Sequence, residues 1–140
     1  MKLHIVARGK IGRSPEAELI ARYVQRITWP FAITELPETG GRVAPPIAPA
    51  KIVALDEGGV SMGSTAFAKL IGGWRDAGIR EARFLIGAAD GLSAEERAEA
   101  DLVWSFGLAT WPHLLVRAML AEQLYRATSI IAGHPYHREG

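Results

Sequence analysis

The sequence predicts an α/β domain built on a mostly parallel sheet with helices on both faces, and three observations carry that reading. Short β-branched and aliphatic runs alternate with segments of helical periodicity along the whole chain. Small residues, glycine above all, stand directly after three of these runs, where the loops of a parallel sheet present their ligand sites. At 140 residues and 49% hydrophobic content the chain can bury one continuous core, and a division of residues 1–140 into two domains is unattractive.

The strands are expected at residues 3–7, 31–36, 52–55, 82–86 and 102–106. Between the first two, Ser14 can cap a helix with Pro15 at its first position, and Leu19, Ile20, Tyr23, Val24 and Ile27 recur on one face before Trp29-Pro30 ends it. A second helix begins near Ser64, presents Phe67, Leu70, Ile71 and Trp74 at helical spacing, and stops at Gly78. Ser93 and Glu96 form a capping-box pattern that opens a short alanine-rich helix. The last helix, from about His113 to Ala127, carries Leu114, Leu115, Val116, Ala118, Met119, Leu120, Ala121 and Leu124 with almost no polar face. It should be covered on two sides, one by the sheet and the other by a second copy of the chain, which predicts a homodimer. Gly40-Gly41 and Pro45-Pro46-Ile47-Ala48-Pro49 make one loop, too short to separate domains.

Composition excludes several classes. Zero cysteines remove disulfides, thiolate metal sites and thiol nucleophiles. No apolar run approaches the roughly 20 residues of a membrane span, and Met1-Lys2-Leu3-His4-Ile5-Val6 turns polar too soon for a signal peptide. A soluble, cytoplasmic protein without a membrane partner is the expectation. Sixteen Lys+Arg against fifteen Asp+Glu give a net charge of +1, so composition alone does not announce nucleic acid. The placement of charge says more: Arg8, Lys10 and Arg13 surround Gly9 and Gly12 just before a helix N-terminus, where a phosphate could be held. That segment is neither a dinucleotide fingerprint nor a Walker loop.

Three loops at strand ends could approach a ligand closely: Leu55-Asp56-Glu57-Gly58-Gly59, Gly87-Ala88-Ala89-Asp90-Gly91 and Gly107-Leu108-Ala109-Thr110-Trp111-Pro112. Each taken alone reads more readily as turn residues, since glycine is the default turn former. Asp56 and Glu57 are adjacent on a strand end and should point to opposite sides, which argues against shared catalysis. At the C-terminus, His134-Pro135-Tyr136-His137-Arg138-Glu139 is the densest polar cluster. Two histidines without a third ligand nearby give no metal site. Tyrosine and histidine stack on bases and arginine neutralises phosphate, so the tail 134–140 suits RNA if it is not frayed.

Taken in order, Phe84-Leu85-Ile86-Gly87 with Asp90-Gly91-Leu92-Ser93, then residues 105–113, then Leu115-Val116-Arg117 through Glu122-Gln123-Leu124-Tyr125-Arg126-Ala127, and finally the tail, resemble ribosomal RNA large-subunit methyltransferase H of the SPOUT class. The resemblance spans essentially the whole chain from Met1-Lys2-Leu3. It implies a C-terminal segment threaded into a trefoil knot, and a homodimer that transfers the methyl of S-adenosylmethionine to N3 of a pseudouridine in a stem-loop of 23S rRNA, free or in the ribosome. It implies a cofactor pocket of Leu55, Gly87, Ala88, Gly107, Leu108, Ala109, Thr110, Trp111 and Pro112. Glu122, Tyr136, His137 and Arg138 match its catalytic positions, and Lys10, Arg13, Arg117, His134, Tyr136, His137 and Arg138 its RNA-handling ones. No metal is required.

Three departures stand out. The family usually has Gly-Gly-Pro-Glu-Gly where this chain has Gly87-Ala88-Ala89-Asp90-Gly91, so a methyl appears at Ala88; that methyl is harmless if φ there is negative. Residues 40–50 are shorter and less basic than is typical. Trp111 replaces an aliphatic residue. The expected chemistry is in-line displacement at the sulfonium methyl by a deprotonated N3 in a water-poor pocket lined by Leu108 and Trp111, with Glu122, His137 or solvent taking the proton. The rival from another class is a non-catalytic RNA- or ribosome-binding module with a vestigial cofactor pocket.

Overall fold

The computed structural model describes residues 1–138; Glu139 and Gly140, the end of the expected RNA-handling tail, lie outside the described residues. The chain runs β1 (Lys2–Arg8), α1 (Pro15–Val24), β2 (Phe31–Leu36), β3 (Ala50–Ser61), α2 (Ser64–Asp76), β4 (Glu81–Ile86), α3 (Ala94–Glu99), β5 (Leu102–Ser105) and α4 (His113–Ile131). One five-stranded sheet has the order β2-β1-β4-β3-β5, and every paired neighbour is parallel. The predicted α/β class and parallel sheet are what forms.

Local chemistry places the elements. Ser14 accepts from the Ala17 amide with Pro15 inside the first turn of α1, and Ser93 and Glu96 complete a reciprocal capping box on α3. Helix α1 ends at Val24, earlier than the apolar spacing suggested, and Ile27 packs on the core from beyond it. Helix α4 continues to Ile131, past the expected end near Ala127, because Thr128 and Ser129 are buried and the Thr128 hydroxyl bonds the Tyr125 carbonyl at 3.0 Å. Gly133, with φ of 74°, then ends it: its amide bonds Ile130 O at 3.0 Å and the His134 amide bonds Ser129 O at 2.9 Å.

Strand β3 is three times the predicted length, 12 residues instead of four, because it survives a register shift: Leu55 and Val60 both lie opposite Trp104. The closure depends on Gly59, where a Cβ would stand 2.5 Å from the Val103 carbonyl oxygen. The irregularity projects Asp56 and Glu57 from the sheet end.

Leu3, Ile5, Val53, Leu55, Phe84 and Ile86 form the core with Phe67 and Ile71 of α2 and Leu120 and Leu124 of α4. Phe67 stacks on Trp104 with centroids 4.1 Å apart. Helix α4 also packs along α1, where Ala118 and Ala121 meet Ile20, and along α2. The sheet, α1 and α2 thus take up most of the apolar surface of α4, while Leu115 and Met119 stay only half-buried at an open groove.

On the opposite side of β1 and β4 lies a buried polar cluster beneath residues 37–49. Glu81 accepts from Arg83 Nε at 2.7 Å and from the Ile47 amide at 3.3 Å, Arg83 donates to Ala44 O at 2.8 Å, and the His4 ring bridges Glu81 and Thr34 at 3.3 and 2.7 Å. Burial lowers the pKa of His4, aided by Arg83 and opposed by Glu81. Burial pushes the Glu81 carboxyl up, but its bonds from Ile47 and Arg83 outweigh that and leave it lowered. Both folded pKa values lie below their unfolded ones, so the linked stability is full above the unfolded values and lost as pH falls. The melting temperature should drop as pH is taken from 7 to 5. In His4→Gln the part of that drop beginning near the usual histidine range should vanish; an unchanged profile by circular dichroism would refute the assignment.

Candidate functional site

Two concavities meet at the C-terminal end of β5, sharing Trp104, Phe106 and Gly107. The first is a cavity of about 620 Å³ at the carboxyl ends of β3, β4 and β5, where ligands of open parallel sheets bind. The three small-residue loops converge on it: Leu55, Asp56 and Glu57 after the regular part of β3, residues 87–91 after β4, and Gly107, Ala109, Thr110, Trp111 and Pro112 after β5. Of the expected cofactor residues only Leu108 is absent from the wall. It is 96% exposed at the top of its loop, which corrects its place as a pocket-lining residue.

Backbone geometry explains the small residues. A Cβ on Gly87 would lie 2.3 Å from the Gly91 carbonyl carbon, so only glycine permits the turn in which the Gly91 amide bonds Ala88 O at 2.8 Å. No non-glycine residue has a positive φ among the described residues, so the extra methyl of Ala88 meets no backbone penalty. Gly107 has φ of 117°, a conformation that side chains avoid, and the Ser105 hydroxyl brackets it by bonding both its carbonyl and its amide. The next loop is tied across the cavity mouth, where the Thr110 hydroxyl donates to Glu57 at 2.7 Å. Asp56 accepts from the Gly58 amide at 2.9 Å and stands 3.8 Å from Arg97, which itself bonds Leu92 O.

The wall also contains Ile86, Asp90, His113 and Val116, together with Asp56 and Glu57. Sequence reasoning set the Asp56-Glu57 pair aside on strand alternation and did not use His113. The register shift in β3 is what brings both carboxylates to one cavity, and only the unusual Gly58-Gly59 after them hinted at it. With Leu55, Ile86, Trp104, Phe106 and Val116 supplying apolar walls and Asp56, Glu57 and Asp90 supplying negative charge, the cavity suits an aromatic ligand carrying positive charge.

Arg117 does not stand in any open surface. It is 1% exposed, its Nη1 pairs with Glu35 at 2.5 Å, and its Nη2 donates to Gly9 O at 3.0 Å. Glu35 also accepts from the Ile11 amide at 2.8 Å, and these bonds outweigh burial to lower its pKa. The expected RNA contact by Arg117 is thus corrected to a positioning role: it pins the loop after β1, from which Lys10 and Arg13 project into solvent.

The second concavity is an apolar groove lined by Leu19, Tyr23, Met62, Phe106, Leu115 and Met119, with Glu122 and Gln123 at its edge. Here the tail returns. Glu122 accepts from Arg126 Nε and Nη2 at 2.8 and 2.6 Å and from the Tyr136 hydroxyl at 3.1 Å. The Tyr136 ring packs edge-on against Tyr125 at 4.6 Å with the Arg126 guanidinium 4.8 Å from its centre. Burial, then the Glu122 charge, push the Tyr136 phenol up to about 12. Arg126 donates to His137 Nδ1 at 2.9 Å, leaving the other ring nitrogen 3.5 Å from the Thr65 hydroxyl. His134 and Arg138 are exposed.

Glu122, Arg126, Tyr136 and His137 therefore form a second cluster, and neither they nor the exposed Arg138 line any part of their own chain's cavity. Glu122, one of the candidates for taking the proton, does not line that cavity in its own chain, and its carboxylate is held by the Arg126 guanidinium and the Tyr136 phenol. Among the described residues no three His, Asp or Glu side chains are grouped to hold a metal ion.

Comparison with known proteins adds to this geometry. The family described as "Predicted SPOUT methyltransferase" matches residues 1–137. Proteins named ribosomal RNA large subunit methyltransferase H from Sphingopyxis alaskensis and Rhizorhabdus wittichii are 65% and 66% identical over 140 residues, covering 100% of this chain and 99% and 100% of theirs. One from Paramagnetospirillum magneticum is 45% identical over 99% of both chains. Among solved structures, a probable methylase family protein from Haemophilus influenzae superposes with a TM-score of 0.61 at 10% identity over 98% of this chain and 70% of its own, which speaks to fold alone. A probable methyltransferase from Bordetella pertussis gives 0.57 at 11% identity over 90% of this chain and 95% of its own. With the sheet-end cavity and a match over nearly its full length, the chain belongs to the SPOUT methyltransferase family, among the proteins named ribosomal RNA large subunit methyltransferase H.

Proposed function

We propose that this protein methylates 23S ribosomal RNA at N3 of a pseudouridine in a stem-loop, taking the methyl group from S-adenosylmethionine bound in the cavity at the ends of β3, β4 and β5. The observation that carries the reading is the convergence of the three glycine-bearing loops on one cavity with apolar walls and a carboxylate rim. A purine ring suits the apolar walls, and Asp56, Glu57 and Asp90 complement the positive charge of the sulfonium and ammonium groups. When bound, the cofactor supplies an electrophilic methyl group.

The chain's own residues supply position and dryness. Gly87 and Gly107 let backbone approach the ligand, the Thr110 to Glu57 bond fixes the mouth, and Trp104, Phe106 and Val116 keep water from the reacting atoms. Charge is destroyed when a cationic donor alkylates an anionic nitrogen, so a water-poor wall favours the transfer. Tyr136, His137 and Arg138 do not reach this cavity in their own chain, so in this reading they serve the cavity of a second copy.

The proposal carries with it a trefoil knot in the C-terminal half, a cytoplasmic setting and a homodimer. The groove of Leu19, Tyr23, Leu115 and Met119 is the seat of that dimer, since it is apolar, open and adjacent to the tail cluster. Met119→Asp should shift the protein toward a 15 kDa species in sedimentation equilibrium while leaving its fold intact. Leu120→Asp is no test of the interface, because Leu120 is wholly buried in the core. A wild type that sediments as a monomer at micromolar concentration sinks the dimer.

Transfer of a labelled methyl group from S-adenosylmethionine to large-subunit rRNA tests the function as a whole. Incorporation should fall on one pseudouridine and vanish when that uridine is left unisomerised. Tight cofactor binding without transfer to free rRNA, large subunits or assembled ribosomes would favour the non-catalytic RNA-binding module.

A further inference from the structure

We propose that Trp111 is the platform on which an unpaired nucleobase of the RNA stacks at the cavity mouth, an inference that rests on the cavity being the methyl-donor site of an RNA-modifying enzyme. The indole is 42% exposed, and among the described residues no other aromatic side chain is exposed. Its backbone is held on both sides, by Thr110 with its bond to Glu57 and by Pro112, which caps α4. A large apolar ring fixed in solvent at the rim of a ligand cavity is unfavourable unless something covers it.

The other aromatic faces near the two concavities are already engaged. Tyr136 packs on Tyr125 beneath Arg126, Tyr23 stacks on Tyr125, and Phe106 packs edge-on against Trp104. The stacking role expected of Tyr136 therefore has a more available candidate in Trp111. Two residues further on, the His113 ring reaches the loop after β1, with its Nε2 only 3.6 Å from where a Cβ on Gly9 would stand. That loop carries the exposed cations Lys10 and Arg13. On the His113 side, away from the carboxylates of Asp56, Glu57 and Asp90, the rim thus offers a flat π surface leading into positive charge, the arrangement that recognises a base and its flanking phosphates. Leu108, 96% exposed on the same loop, extends the apolar surface.

Base stacking on an aromatic ring is sequence-tolerant and is lost with the ring, whereas phenylalanine retains much of it. At saturating cofactor, Trp111→Ala should raise the KM for ribosomes on the order of tenfold, a larger change than any in kcat, and weaken co-sedimentation with ribosomes by a similar factor. Trp111→Phe should restore most of both, and Trp111→Leu should not. Because the buried part of the indole lines the cavity, affinity for S-adenosylmethionine should also fall in Trp111→Ala, but by less than ribosome affinity. Phe and Leu should restore it alike by refilling the wall, as calorimetry would read.

An unchanged ribosome affinity and KM in Trp111→Ala overturns the proposal. So does a loss of cofactor affinity in Trp111→Ala that accounts for all of its lower activity, since the indole would then act only as a wall of the donor site. Equal ribosome binding by the Phe and Leu variants refutes stacking and leaves a general apolar contact, as with a protein partner. If wild type and Trp111→Phe bind ribosomes better than Trp111→Ala but transfer no methyl group, the stacking inference stands and the enzymatic reading falls.

Discussion

Gly107→Val should lower the affinity for S-adenosylmethionine on the order of a hundredfold while the protein stays folded. The effect is conformational rather than steric: nothing lies within 4 Å of a Cβ built at this position, so the valine side chain has room. What it lacks is a backbone state. At φ of 117° a β-branched residue is strongly disfavoured, and the loop must rotate out of the bracket formed by the Ser105 hydroxyl. That rotation displaces Ala109, Thr110 and Trp111 together, because the Thr110 to Glu57 bond cannot be kept. The core beneath is untouched, since Trp104 and Ser105 precede the hinge. Titration calorimetry and a thermal melt on the same sample decide it: a native melt with unchanged affinity places the donor site elsewhere.

Removing residues 136–140 should depress single-turnover methyl transfer by two orders of magnitude or more, about what misplacing a reacting group by an ångström costs. Deletion takes away the phenol that Glu122 holds and the ring under Arg126, so the Glu122 to Arg126 pair keeps only the bond from Gln123. Cofactor affinity should stay within about twofold, because the cavity contains no residue of the tail. Dimerisation is more exposed to the change than sequence alone suggests, as Tyr23 and Glu122 both border the apolar groove and contact the tail. Sedimentation should accompany the kinetics for that reason. Mixing the truncated chain with a Gly107→Val chain provides the sharper readout: recovery of activity requires the tail of one copy to serve the cavity of another. A truncated enzyme with the wild-type rate at saturating cofactor and ribosome would show that the tail has no part in the chemistry.

The α/β class, the places of five strands and four helices, and the three loops of the cavity are legible in the sequence, although β3 reads as four residues where the strand has 12. These are local matters: β-branched runs, a serine cap on α1, a capping box on α3 and glycines after strands fix conformation within a few residues. Ser129 and Thr128 concealed the end of α4, because propensity counts them against a helix that burial sustains. Tertiary structure alone decided which groups face what. Arg117 reads as one more cation beside RNA until the fold buries it against Glu35 and the Gly9 carbonyl. Asp56 and Glu57 read as diverging neighbours until the register shift beside Trp104 turns both into the cavity. The apolar girth of α4 reads as one face for the sheet and one for a second copy, until α1 and α2 take up most of it and leave Leu115 and Met119 at an open groove. In each case the deciding contact joins residues far apart in the chain, and a pattern of spacings along one segment carries no information about what the rest of the chain will lay against it.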